Sequence, residues 1–268
     1  MNRSGPPPEP AAADGTGALG LKLLIVSLAV LFASALASFW VVRGNTESWT
    51  GAGAGFRVPA GIWAATAVLG LLSSAAQRRA LRLSFGLAVL FLLVQAWNWR
   101  ELIAAHLPPG AKSLYAFNFY LLTGLHALHV LGGLIYHLFV LRRPTAAGAR
   151  NLATYWHFLA VTWLALAATL VVGARPDLTA AGIQRAFTGI AVSALGGFVL
   201  CWLRVELALA RAEGGVSVLI GLFPPIAFLR GFMKADELRL RGWLFWWAAF
   251  FGVALSAGCI AVAVAMTA

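Results

Sequence analysis

A chain of 268 residues that is 61% hydrophobic and only 11% charged is too apolar for an ordinary soluble domain, where about half the residues are apolar and a quarter charged. The excess falls into separate apolar runs of membrane-spanning length, which sets the class as an integral membrane protein. The net charge of +11 does not point to nucleic acid, because the basic residues sit mostly between apolar runs, where Lys and Arg set membrane orientation.

In chain order, Met1–Gly20 is rich in Pro, Ala and Gly, lacks an apolar core and reads as a disordered tail with no signal-peptide pattern. The first apolar run, Leu21 to Val42, ends without a small-residue cleavage site and is expected to be a retained helix. Spans are expected at 21–42, 58–77, 82–100, 114–141, 152–173, 183–204 and 243–266, each long enough to cross about 30 Å of hydrocarbon at about 1.5 Å per residue. The fold class is therefore all-α, a polytopic transmembrane helix bundle of about seven spans. Short connections make sequential helices antiparallel neighbours. One stretch, Gly215 to Met233, is apolar but interrupted by Pro224-Pro225. Consecutive prolines break the helical ladder, so an interfacial or re-entrant hairpin is expected there.

Orientation follows from the basic residues. With the N-terminus inside, fourteen Lys and Arg fall on inner segments (among them Arg78, Arg79, Arg142, Arg143, Arg211 and Arg230) and six on outer ones (Arg43, Arg57, Arg100, Lys112, Arg175, Arg185). That bias predicts a cytoplasmic N-terminus, a periplasmic C-terminus and a cytoplasmic loop after the sixth span. Trp40, Trp49, Trp97, Trp99, Trp243, Trp246 and Trp247 cluster near span ends, as interface anchors do. Cys201 and Cys259 lie in late apolar runs with no metal or disulfide spacing, and read as buried filler.

The seven expected spans hold no Asp or Glu; Glu101, Glu206, Asp236 and Glu237 fall at span ends or in loops. Ion-coupled carriers place carboxylates at membrane depth, so a small-solute transporter is disfavoured. The intramembrane titratable groups are histidines. His126, His129 and His137 fall within about 80° of arc on one helix, with Gly133 on the same stripe, which faces a neighbouring helix. His157 opens the next span at about the depth of His137. These imidazoles could ligate a b-type haem (His137 with His157) or a metal (His126 with His129). No carboxylate is available to orient a ligating ring, so interhelical hydrogen bonding is the expected role.

The run from Phe119 to Gly133, FYLLTGLHALHVLGG, resembles the signature helix of subunit III of the haem–copper (cytochrome c oxidase-type) terminal oxidases. The next helix opens Tyr155-Trp156-His157-Phe158 and continues to Trp163, again resembling that family. Pro59, Trp63, Thr66 and Leu71-Leu72-Ser73-Ser74 resemble its second core helix, and Gly86, Phe91 and Gln95 its third. The resemblance divides the chain into a tail at 1–20, a five-helix membrane core at 21–174 and a C-terminal extension at 175–268. It departs from the family where carboxylates are customary. After Ser27 stands Leu28, after Gln95 come Ala96, Trp97 and Asn98, and after the YWHF element come Leu159 and Ala160.

The resemblance implies an accessory subunit, itself non-catalytic, of a complex that reduces O2 with electrons from a c-type cytochrome. It implies no cofactor in this chain, with haem and copper in the catalytic subunit I. Subunit I, subunit II and phospholipids are the expected partners, and a bacterial inner (cytoplasmic) membrane is the expected location. It implies lipid or inter-helix polar contacts for His126, His129, His157 and Gln95, and close helix packing at Gly132 and Gly133. The related subunit of nitric oxide reductase is one alternative, and a b-type cytochrome with His137 and His157 as ligands is another.

Overall fold

The computed structural model describes residues 11–46, 49, 57–214, 220–235 and 237–267. Eight helices run through them: α1 (Ala11–Gly44), α2 (Gly61–Gln77), α3 (Leu81–Ala104), α4 (Leu114–Arg142), α5 (Ala146–Gly173), α6 (Ala180–Glu213), α7 (Pro224–Met233) and α8 (Arg241–Thr267). No strand occurs among the described residues. Of the expected tail, residues 1–10 lie outside them, and α1 starts at Ala11 rather than Leu21.

Local chemistry sets the boundaries. Ser113, Thr145 and Thr179 stand in extended conformation before α4, α5 and α6. Each hydroxyl accepts from the backbone N–H three residues on, at Ala116, Gly148 and Gly182, occupying a donor the first helical turn leaves free. Pro224 and Pro225 occupy the first turn of α7, where no N–H is required of them. The proline pair thus opens a helix instead of bisecting one. At 10 residues, α7 is about 15 Å long and cannot cross by itself. The preceding residues 215–219 lie outside the described set.

Six helices are long and apolar enough to cross a membrane: α1 from Leu19, α3, α4, α5, α6 and α8. The expected second span forms α2, which at 17 residues sits at the short end of spanning length. The sixth runs past its expected end. Val205 to Ala212 is dominated by strong helix formers, so α6 continues to Glu213 and stops where Gly214 takes φ +91°. Glu206, expected just past the end of the sixth span, is therefore inside α6.

The chain forms two compact units, Met1–Phe39 with Thr46–Asp177, and Trp40–Asn45 with Leu178–Ala268. In the first, α2 packs on α3 and α5, and α4 on α3 and α5. Both faces of α4 are largely apolar, and packing tells them apart. Leu122, His126, Val130, Gly133 and His137 are buried, while Leu121, Leu128, Ile135 and Phe139 are each at least half exposed, as lipid-facing side chains are. In the second unit α6 lies along α8, with Gly197 so close that a Cβ there would stand 2.8 Å from the Phe250 ring. Cys201, Val205 and Leu209 of α6 join Ala227, Leu240, Leu244 and Trp247 in its core.

Two expectations about the interface fail. Trp49 and Trp247 are not anchors but buried, Trp49 with its ring edge-on to Phe39 at 5.2 Å and Trp247 against Phe198 and Phe228. Cys201 is buried, but Cys259 is exposed. A tryptophan near a span end can fold back onto its own helices, which position in the chain does not reveal.

Three turns share one strained device. Arg79, His106 and Arg239 have φ of 59°, 59° and 52°. The next residue's N–H reaches back five residues: Ala80 to the Ala75 carbonyl, Leu107 to Leu102 and Leu240 to Ala235, at 2.8–3.0 Å. This is the Schellman bond pattern, with side-chain-bearing residues where glycine is favoured. The left-handed conformation costs such a residue about 1–2 kcal/mol, partly offset in glycine by its greater freedom when unfolded. Arg79→Gly and His106→Gly should each raise stability by about 0.5–1 kcal/mol, read as a higher Tm in detergent. Arg78→Gly, at an ordinary φ of −77°, should lower it.

Candidate functional site

The interior of the first unit collects the polar residues of the signature helix and its neighbours. His126 is fully buried in an aromatic box, with ring centroids of Phe32, Phe91 and Trp163 at 5.9, 5.5 and 5.2 Å. Neither of its ring nitrogens has a hydrogen-bond partner among the described residues. His129 Nδ1 lies 2.7 Å from the Leu125 carbonyl of its own helix, and the His129 carbonyl accepts the Tyr155 hydroxyl at 2.8 Å. His137 is buried, and its Nδ1 accepts from Trp156 Nε1 at 3.3 Å.

His157 is exposed and turned towards α2, with Ser73 Oγ at 3.1 Å and Gln77 Nε2 at 3.3 Å from its Nδ1. The structure therefore does not present His137 and His157 to one common point. His137 engages the α5 indole beside it, and His157 engages α2. No group of three or more His, Cys, Asp or Glu able to hold a metal occurs among the described residues.

The two signature glycines differ. A Cβ on Gly133 would stand 2.7 Å from Tyr155 Cε1 and 2.8 Å from Trp156 Cη2, so a bare backbone lets α5 approach α4. A Cβ on Gly132 meets nothing within 4 Å. Gly132 instead lines a cleft of ≈ 490 Å³ between α1 and the α4–α5 pair, together with Leu24, Leu28, Leu128, His129, Asn151 and Tyr155.

Gln95 and Asn98 are both buried on α3, the Asn98 amide donating to Gln95 Oε1 at 3.4 Å. Asn98 lies against Gly61 of α2, where a Cβ would collide with its amide. Gln95 Nε2 and Asn98 Oδ1 lack partners among the described residues. Of the three positions where the resemblance leads one to expect an acid, Leu28 lines the cleft, Asn98 is in the core and Ala160 is buried on α5. Trp163 Nε1 donates to Thr66 Oγ1 at 3.0 Å and Trp99 Nε1 to Thr123 Oγ1 at 2.9 Å, tying α5 to α2 and α3 to α4.

The bonds from Tyr155 and Trp156 onto α4 were not foreseen. Their signal lay in the spacing, since an aromatic pair on one helix faces a glycine on the preceding one across a short turn. Gly133→Ala should therefore be destabilising by about 1–3 kcal/mol, the range for overpacking. Gly132→Ala should be neutral or stabilising by up to about 1 kcal/mol, the helix-propensity gain. Thermal unfolding of the detergent-purified chain compares the two, and an equal response would show that the seam does not depend on Gly133.

Residues 54–173 match the family model described as Cytochrome c oxidase subunit III, which covers α2 to α5. A protein of Mycobacterium tuberculosis named "Probable cytochrome c oxidase subunit 3" is 39% identical over 97 residues, 33% of this chain and 47% of the relative. The "Cytochrome c oxidase subunit 3" of Corynebacterium diphtheriae is 34% identical over 101 residues, 35% of this chain and 49% of the relative. The "Cytochrome bo(3) ubiquinol oxidase subunit 3" of Pseudomonas aeruginosa is 28% identical over 172 residues, 56% of this chain and 81% of the relative. The chain spans about half the length of the first two relatives. Residues 54–173 thus carry a likeness to the cytochrome c oxidase subunit III family.

Proposed function

We propose that the chain is an accessory, non-catalytic subunit of a haem–copper terminal oxidase in a bacterial cytoplasmic membrane, serving aerobic electron transport. The observation that carries the reading is the coincidence of the family match with the α2–α5 core. That core is held by neutral hydrogen bonds and a glycine seam, with no carboxylate or cation turned inward to do chemistry. In this reading haem and copper belong to catalytic subunit I, with subunit II beside it, and this chain holds neither. A b-type cytochrome would need His137 and His157 directed at one iron, and their engagement with Trp156 and with Ser73 and Gln77 speaks against that.

The cleft lined by Leu24, Leu28, His129 and Tyr155 has the chemistry of a phospholipid site, apolar walls with a few polar groups. Inter-helix polar contact is assigned to His157, through Ser73 and Gln77. The name of the Pseudomonas aeruginosa relative supports a second reading for the electron donor, ubiquinol in place of a c-type cytochrome.

Purification of the tagged chain from membranes in mild detergent should bring down a haem-bearing catalytic subunit with oxygen-reducing activity. The donor, reduced cytochrome c or quinol, then identifies the complex. A haem band that stays with the chain after it is stripped of partners, and is lost in His137→Ala, would overturn the accessory reading.

For topology we propose an inner N-terminus and outer C-terminus, with α2 crossing and α7 remaining on the inner side among Arg230, Lys234, Arg239 and Arg241. Reporter domains fused after Arg143 and at Ala268 should report opposite sides. Reports from one side would sink this arrangement.

A further inference from the structure

The second unit contains a carboxyl group for which the likeness to subunit III supplies no role. Glu206 projects from α6 into the core formed with α7 and α8, and it is buried, only 6% exposed. Neither carboxyl oxygen has a hydrogen-bond partner among the described residues. Its flanks are apolar, since Val205 and Leu209 are fully buried members of the same core. The space for the carboxyl is made by Gly221, where a Cβ would collide with it. Trp202, one turn before Glu206, holds that stretch of chain by donating Nε1 to the Gly221 carbonyl at 2.9 Å.

The charged groups that act on Glu206 are Arg230 of α7 and Glu213 of α6. Arg230 is already bound to Glu213. Lys234 is 2.7 Å from the other Glu213 oxygen, and that bond holds its ammonium above the ordinary lysine range. Arg230 and Lys234 thus close on the acid two turns further along, and Glu206 forms no ion pair among the described residues. From α8, Leu244 and Trp247 join this core, and its Arg241 is not among the charges that act on Glu206. An ionised carboxylate that is buried and unbonded is costly, and such a group takes up a proton instead.

We propose that Glu206 is a proton-binding site of the C-terminal extension, a carboxylic acid kept in its neutral form by its packing against Gly221 and the α6–α8 core. The subunit III resemblance offers no such acid: the positions it leads one to examine, Leu28, Asn98 and Ala160, are uncharged here. A neutral acid in an apolar setting reacts with hydrophobic carbodiimides. Its O–H adds across one C=N bond of the reagent, and the acyl group then migrates from oxygen to nitrogen. Nothing leaves, and the residue gains the whole mass of the reagent.

The test uses the full chain in its membranes, and the Glu206→Met variant, which keeps side-chain volume and removes the acid. If Glu206 is neutral and unpaired, the variant is at least as stable as the parent. An unfolded glutamate titrates near pH 4.3, so between there and neutrality the unfolded parent releases a proton that the folded parent keeps. Parent stability therefore falls with rising pH by a contribution the variant lacks. The Tm advantage of E206M should widen from pH 4 to pH 8. A variant less stable than the parent at every pH, or a gap independent of pH, would overturn the proposal by showing an ionised, paired carboxylate. Should E206M fail to fold, labelling of the parent by dicyclohexylcarbodiimide decides. Mass-spectrometric detection of the adduct on Glu206 supports the site, and its absence after reaction to completion overturns it.

Discussion

Two helices in lipid gain nothing by burying apolar surface against each other, because the tails around them are just as apolar, so the α4–α5 seam must hold by close approach and by specific bonds. Gly133 supplies the approach, with Tyr155 and Trp156 lying directly over its backbone. Those two residues supply the bonds, to the His129 carbonyl and to His137. From this seam the rest of the first unit is positioned. Seven residues beyond Trp156, Trp163 reaches Thr66 on α2, meets Phe91 edge-on and packs tilted against His126. His157, beside Trp156 but turned away from it, meets Ser73 and Gln77.

Most polar side chains in this interior are neutral ones bonded at modest cost, including threonine, indole, tyrosine and histidine. That is the economical solution in a medium where an unpaired charge is penalised by several kcal/mol. Asn98 illustrates it: an amide fitted against Gly61 and sharing a bond with Gln95. The second unit solves a different problem. It brings a broken chain, Ile220 to Leu240, back against a long helix, and it secures the C-terminal end of that helix with Arg230 and Lys234 on Glu213. Glu206 lies inside that clasp and not in it.

The histidine stripe on α4 was legible because helical spacing is rigid: His126, His129 and His137 had to share a face with Gly133, and that face had to meet a neighbour. What each ring does there was not legible. His126 sits in an aromatic box, His129 caps its own helix's carbonyl and offers its backbone to Tyr155, and His137 takes an indole N–H. Those differences arise from which residue of α2, α3 or α5 arrives opposite, a matter of helix rotation and register across the bundle. Gly132 and Gly133 make the same point, since adjacent positions on a helix are about 100° apart. One therefore faces the seam while the other opens on a cleft.

From the sequence alone came the membrane class, the order of the apolar helices, the stripe of histidines, and the likeness to the family through its YWHF and LLTGLHALHV elements. These depend on composition, on helical period and on side chains neighbouring one another along the chain, all of which are local. Tertiary structure decided that Trp49 and Trp247 are core residues. It also decided that a glycine fifteen residues downstream, Gly221, makes room for a buried Glu206. Each of these depends on what a distant segment places against the residue, and in lipid that pairing is settled by shape and hydrogen bonding, because hydrophobicity no longer distinguishes inside from outside.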